Sequence, residues 1–329
     1  MKIVVTHLSP DMDAIGSVWV IKKFLPGWSD AKVEFVPAGL RLERVKNHPE
    51  FVKEPVLKVG DDEIMHVDTG HGPLDHHQTS SMETCGAKRS WEFVLSELEK
   101  TGQQLRIEHQ EAVSRIVEQI VAMDHFQEVH RVDASADYQD FSLWALNEGL
   151  QYLKPGEDDY YVEFGRTCLD YLFSFFENKI WAEKEMSKGI EFEIKAGKCL
   201  GIESQNDSVI KLAQKKGYVV VVRKDPRRGN VAIKAIPNKA KGEGQTPIQS
   251  GQRVEGEGEE AKSIEQSAKI SGIDLTLAYE QMKKMDPDAT WFLHVGKKML
   301  LNGSVKNPNM KPTKLSLEEI IKVIEGLYK

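Results

Sequence analysis

Residues 66–79, HVDTGHGPLDHHQT, carry four histidines and two aspartates within fourteen positions, with two glycines and a proline to hold the chain in a tight course. Imidazole nitrogens and carboxylate oxygens suit divalent ions such as Mn2+, Zn2+ and Co2+. A second set lies upstream in THLSPDMDA, where His7, Asp11 and Asp13 stand at i, i+4 and i+6. Carboxylates this close repel one another unless a cation sits between them. Asp11 or Asp13 can instead cap a helix opening at AIGS. Taken alone, the first loop does not choose between cap and ligand. In the second stretch His66 or His71 fits a plain surface turn, but Asp68, Asp75, His76 and His77 form too dense a set for one. Together the two loops offer donors for two divalent ions. Such a pair clamps the attacking and leaving oxygens of an in-line displacement and acidifies a shared water. That is the chemistry of phosphoester and phosphoanhydride hydrolysis, and of some peptidases.

The elements that must position these residues follow from hydrophobic pattern. KIVVTH and EIMHVDTG read as buried strands, each delivering a metal-capable loop at its carboxyl end, and AKVEFVPAG reads as a third. DAIGSVWVIKKFLP has helical spacing and stops at Pro26. Helices are predicted from about Ser90 and over HQEAVSRIVEQIVAMDHF. Strands alternating with helices imply a parallel α/β sheet, whose ligands sit beyond the carboxyl strand ends. Both loops fall there.

The chain of 329 residues is long enough for two domains. Residues 160–187 read as a long connecting helix, giving a first domain of 1–187. Residues 188–329 read as a smaller α+β domain, with a glycine-rich flexible loop at 238–263. GIEFEIKAGKCLGIES and GYVVVVRKDPRRGNVAIKAIP read as its strands, IDLTLAYEQMKKMD as a helix and TWFLHVGKKMLLNGS as strand–turn–strand. The net charge of −7 is uneven: residues 1–150 hold 15 Lys+Arg against 25 Asp+Glu, the remainder 29 against 26. The first part suits cations, and basic stretches at 211–241 and 283–314 suit an anion or are solvated surface. Three scattered cysteines without a Cys-x-x-Cys pair argue against a disulfide framework and fit a reducing cytosol. The N-terminus reads as a strand and not a signal peptide. No apolar run reaches the roughly 18–20 residues of a membrane span.

THLSPDMDAIGS resembles the first motif of the DHH phosphoesterases, His-x-x-x-Asp-x-Asp-Ala-x-Gly-Ser. VDTG resembles the second, DHH at 75–77 is the motif that names the superfamily, and VAMDHF places Asp124 near a helix end as the fourth. All four occur in order within residues 7–124. A nearer resemblance is to the exonuclease family named after the melanocyte proliferating gene, through DHHQ at 75–78, the long connecting helix and WFLHVGKKMLLNGS at 291–304.

The resemblance implies an active site in a cleft between the two domains. His7, Asp11 and Asp68 would bind one ion, and Asp13, Asp68, His76 and Asp124 the other. His77 would face the scissile phosphate, and Asp75 would orient a ligand histidine. Backbone N–H groups after Asp13 would help to hold an anion. His125, beside Asp124, is either a further ligand or helix surface. In the second domain His294, Lys297, Lys298, Arg223, Arg227 and Arg228 would touch phosphate or leaving group, or are plain basic turns.

The leading expectation is a phosphoesterase with two divalent ions, Mn2+ first and Mg2+, Co2+ or Zn2+ as substitutes. It would trim single-stranded nucleic acid or short oligonucleotides, with no membrane partner and an oligomeric state left open, a homodimer included. The alternatives are a phosphatase for pyrophosphate, a nucleoside bisphosphate or a cyclic dinucleotide, and a metal-binding regulatory protein without catalysis.

Overall fold

The run KIVVT forms β1 (Lys2–His7), with Ile3, Val4 and Val5 wholly buried on both faces, as a central parallel strand requires. It lies between β2 (Lys32–Val36) and β4 (Asp62–His66), parallel to both. A short antiparallel edge strand, β3 (Leu57–Val59), completes the order β2-β1-β4-β3. Ile3 and Val5 pack with Val36, Val45, Phe51, Leu57 and Ile64 in one core cluster. This is the α/β class with an N-terminal parallel sheet read from the pattern. The computed structural model describes residues 1–237, 272–303 and 307–329. The glycine-rich stretch 238–263 and Ser304 lie outside the described residues.

Helix α1 (Met12–Phe24) ends as its sequence requires, because Leu25 stands before Pro26 and is extended, with φ −83° and ψ 118°. α2 (Gly86–Lys100) starts earlier than the expected Ser90. α3 (Ile107–Asp124) turns Val113, Ile116, Val117 and Ile120 inward at helical spacing and ends on Asp124. Two short helices unforeseen in the sequence follow, α4 (Asp137–Asp140) and α5 (Leu143–Leu153). In α5 the one buried residue is Asn147, so its apolar residues do not read as a core face. The connecting helix is α6 (Asp158–Met186). By contacts the chain divides within it, into Met1–Glu177 and Asn178–Lys329.

The second unit holds a six-stranded sheet. Its strands are β5 (Ile190–Ile194), β6 (Gly197–Glu203), β7 (Val220–Lys224), β8 (Val231–Ala235), β9 (Phe292–Leu293) and β10 (Met299–Asn302). They run in the order β5-β6-β7-β8-β10-β9, and β6–β7 is the one parallel pair. α7 (Ser208–Lys215), α8 (Thr276–Met285) and α9 (Leu317–Tyr328) accompany it. Ser316 and Glu319 close a capping box at the start of α9, while Ile320, Ile321 and Ile324 enter the core. Among the described residues no helix is long and apolar enough to cross a membrane.

Candidate metal centre

β1 and β4 are parallel neighbours with Val5 level with His66, so their following loops emerge side by side. His7 ends β1, and Asp68 lies two residues beyond β4. His7 Nε2 stands 3.3 Å from Asp68 Oδ2 and 3.9 Å from Asp11 Oδ1. The other ring nitrogen, Nδ1, is 2.9 Å from the Leu8 carbonyl. That contact places the proton on Nδ1 and leaves the Nε2 lone pair facing the two carboxylates, as a ligand histidine requires.

The opposite edge of Asp68 meets a second set. His76 Nε2 is 3.6 Å from Asp13 Oδ2, 3.6 Å from Asp68 Oδ1 and 3.6 Å from Asp124 Oδ2. Three oxygens thus surround one nitrogen at distances too long for hydrogen bonds. His76 Nε2, Asp68 Oδ1 and Asp124 Oδ2 are all buried without a hydrogen-bond partner. Buried polar atoms rarely go unpaired, and three aimed at one point fit a cation. Three groups meet the spacing of metal ligands among the described residues: His7–Asp11–Asp68, Asp68–His76–His77 and His76–Asp124–His125.

The three fully enclosed carboxylates are treated differently. Asp13 accepts from Gly86 N and Ala87 N, both at 2.7 Å, at the N-terminus of α2. That anchoring is why α2 begins at Gly86, where peptide N–H groups favour an anion. Asp75 accepts from His71 N at 2.7 Å, His77 N at 3.1 Å and His77 Nδ1 at 2.7 Å. Burial would raise the Asp75 pKa, but these hydrogen bonds hold it below the usual carboxylate range. Asp68 has no such set. Burial first, then the charges of Asp13 and Asp11, push its carboxyl well above the ordinary value. Burial and the same two charges push Asp124 up to about 7. Burial also lowers His76, which favours the neutral, ligand form. The negative charge left uncompensated is therefore concentrated where the lone pairs of His7 and His76 converge.

The first loop answers the choice between cap and ligand in part. Asp11 is the N-cap of α1, its Oδ1 accepting from Asp13 N at 2.9 Å and Ala14 N at 3.0 Å. Of the amides after Asp13 expected to help hold an anion, that of Ala14 is already taken by Asp11. The same Oδ1 that caps the helix is the oxygen 3.9 Å from His7 Nε2. Asp75 Oδ1 meets His77 Nδ1 at 2.7 Å, and the same ring nitrogen lies 3.8 Å from Asp68 Oδ1. His125 Nε2 lies 2.8 Å from the Thr84 carbonyl and 3.8 Å from Asp124 Oδ2. Among the described residues, six non-glycine residues have left-handed backbone; Ser9, Asp68 and His71 lie in the two loops and Phe126 lies two residues after Asp124. Such strain concentrates where surrounding structure forces it, commonly at functional sites.

Gly86 was not legible as a site residue. A Cβ there would stand 2.6 Å from Asp68 Cβ and 3.0 Å from Asp13 Oδ2, so only glycine admits α2 this close to both carboxylates.

Of the basic residues in the second unit, Arg223 departs from expectation. It is buried in β7, with Nη1 donating to Ser204 O at 2.6 Å and Nη2 2.5 Å from Asp207. Its guanidinium closes the turn before α7 and is not offered to substrate. Lys297 pairs with Asp274 at 3.2 Å, and Lys298 donates to Ile273 O at 2.7 Å, so both brace the segment before α8. Arg227 and Arg228 are exposed on a turn whose amides Asp225 caps, and His294 is exposed at the β9–β10 turn.

No family model matches the chain, and no curated protein matches it. Solved structures similar to it include the DHH domain of a member of a family of ribosomal proteins (11% identity, covering 100% of this chain and 87% of that one, TM-score 0.30). RecJ from Thermus thermophilus in complex with Mn2+ is 8% identical, covering 99% of this chain and 52% of that one, with TM-score 0.27. An uncharacterized protein from Helicobacter pylori is 13% identical over 100% of this chain and 99% of that one, with TM-score 0.23.

Proposed function

We propose that the chain is a two-metal phosphoesterase of the DHH type, using Mn2+ to trim single-stranded RNA or DNA or short oligonucleotides. The observation that carries this reading is Asp68, one oxygen facing His7 and the other facing His76, with each histidine backed by a further carboxylate. His7, Asp11 and Asp68 would hold one ion, and Asp13, Asp68, His76 and Asp124 the second. Ions bound there supply an acidified water and neutralise phosphate charge.

The chain's own groups supply the rest. Asp75 Oδ1 accepts from His77 Nδ1 at 2.7 Å, which fixes the ring and its orientation. His77, about half exposed, then has Nε2 to donate a proton to the departing ester oxygen. Asp13, anchored on α2, ties the first loop to the start of that helix. Arg227, Arg228 and His294 are the exposed groups of the second unit proposed to meet the phosphate backbone, and such contacts make affinity fall with salt.

The test is incubation with Mn2+ and a panel: a labelled RNA oligomer, the matching DNA, a dinucleotide, pyrophosphate and a nucleoside bisphosphate. A ladder of released mononucleotides, lost in Asp68→Ala and His77→Ala, is the expected result. Turnover of the small substrates alone would make it a phosphatase. Bound Mn2+ without any turnover would leave a regulatory protein.

A further inference from the structure

In α5 the leucines recur at i, i+3, i+7 and i+10, as Leu143, Leu146, Leu150 and Leu153, which lines them along one stripe. A helix ordinarily buries such a stripe. Here Leu146 is 59% exposed and Leu153 83% exposed, while the one buried residue is Asn147. The polar side chains explain the inversion. Asn147 Nδ2 and Gln151 Nε2 both donate to the Pro10 carbonyl, at 3.3 Å and 3.1 Å. Just beyond the helix, Asp158 Oδ1 accepts from Ser9 N at 2.9 Å. Amides and a carboxylate thus fasten α5 to the loop that precedes Asp11, and Leu146 and Leu153 are left on the surface.

The exposure extends beyond the helix. Phe141, between α4 and α5, is 95% exposed, and Val132, Tyr138 and Tyr152 are exposed as well. Single apolar residues at a surface are ordinary, but six large ones within residues 132–153 mark an interaction surface. Charge selects the occupant. Residues 126–160 hold eight Asp+Glu against two Lys+Arg. Asp137, Asp140 and Glu148 are exposed, and among the described residues no Lys or Arg pairs with them. An anionic membrane or a nucleic-acid backbone would meet like charge here. A second copy seated patch to patch would too, because a two-fold contact sets the same acids against one another. A helix with one apolar face and a basic rim meets neither penalty: its apolar face covers the leucine stripe and its cations reach the acids.

We propose that α5, with α4 before it, is the docking surface for a basic amphipathic helix of another protein. The surface contains no metal-facing residue and does not rest on the phosphoesterase reading. A partner seated there lies on the helix that holds the first metal loop at Pro10.

The test is fluorescence anisotropy of the full-length protein with a labelled amphipathic peptide of Leu and Lys, its leucines at the same i, i+3, i+7 spacing. Two peptides serve as controls, one with Glu in place of Lys and one with the Leu/Lys order scrambled. Wild type should bind the Leu/Lys helix at least about 10-fold more tightly than either control. Leu146→Gln with Leu153→Gln should weaken that binding about 10- to 100-fold. Both leucines are exposed, so this variant should melt as wild type does. Asp137→Asn with Asp140→Asn and Glu148→Gln should weaken binding and flatten its dependence on salt. Equal binding by wild type and the leucine variant, or of the ordered and scrambled peptides, overturns the proposal. Sedimentation decides between occupants. Self-association of wild type that the leucine variant lacks would make the occupant a second copy, and co-sedimentation with phosphatidylglycerol vesicles would make it a membrane; either result overturns the proposal.

Discussion

Replacing Asp124 by Asn should change the sign of its effect on stability when metal is added. Asp124 Oδ2 is buried without a hydrogen-bond partner, so the amide removes a charge and no bond. Burial and the charges of Asp13 and Asp11 push the Asp124 carboxyl up to about 7, against about 3.9 in an unfolded chain. Between these values the metal-free folded protein holds a proton that the unfolded chain has released. Its stability therefore falls as pH rises through this window. About three pKa units correspond to about 4 kcal/mol for a sealed group. The side chain is 14% exposed and solvent screens it, so about half, ~2 kcal/mol, is the expected contribution. In chelator, Asp124→Asn should match wild type near pH 4 and exceed it near pH 8 by ~2 kcal/mol, about 4–8 °C in melting temperature for a unit of this size. Mn2+ at a hundred times its Kd should then raise wild type by about 2.7 kcal/mol and the variant by less. The assay is a set of thermal melts at three pH values with and without Mn2+. A chelated variant less stable than wild type at pH 8 would refute the reasoning, as would equal protection of both by Mn2+.

Three further outcomes follow from the geometry. Gly86→Ala forces a methyl to within 2.6 Å of Asp68 Cβ, so Mn2+ affinity by calorimetry should fall about 10- to 100-fold. Asp75→Asn removes the negative charge facing His77 Nδ1 and turns one of two accepting oxygens into a donor, and turnover of a phosphodiester should drop by about 10²–10⁴ while Mn2+ still binds. Ser316→Ala opens the capping box of α9 and should cost about 1 kcal/mol by denaturant titration, with Mn2+ affinity unaltered.

The metal-facing residues were legible because their spacing is local and both loops end parallel strands. His7, Asp11 and Asp13 lie within seven residues, Asp68 to His77 within ten, and the sheet brings the two loops together without further information. Asp124 needed the order of motifs, since one aspartate at a helix end carries no chemistry by itself. The gaps arise where a contact joins distant residues of ordinary type. Gly86 meets Asp13 across 73 positions, and nothing around it in TCGAKRS marks a close approach. Arg223 read as a basic surface residue because its charge was weighed without its strand. In β7 the four residues before Lys224 are buried, and the arginine among them reaches the Ser204 carbonyl and the carboxylate of Asp207, which stands at the surface. Arg41 went unremarked for a related reason. Its placement depends on Phe51, ten residues away on no periodic element, and on the Gly70 carbonyl beyond β4. Residue type locates charge along a chain, but only packing shows which charges the protein has already neutralised. By that criterion Asp75 is satisfied by its own chain, and the charge of Arg223 is met by Asp207. Asp68 and Asp124 each keep a buried oxygen without a partner, and there ligand charge has something to compensate.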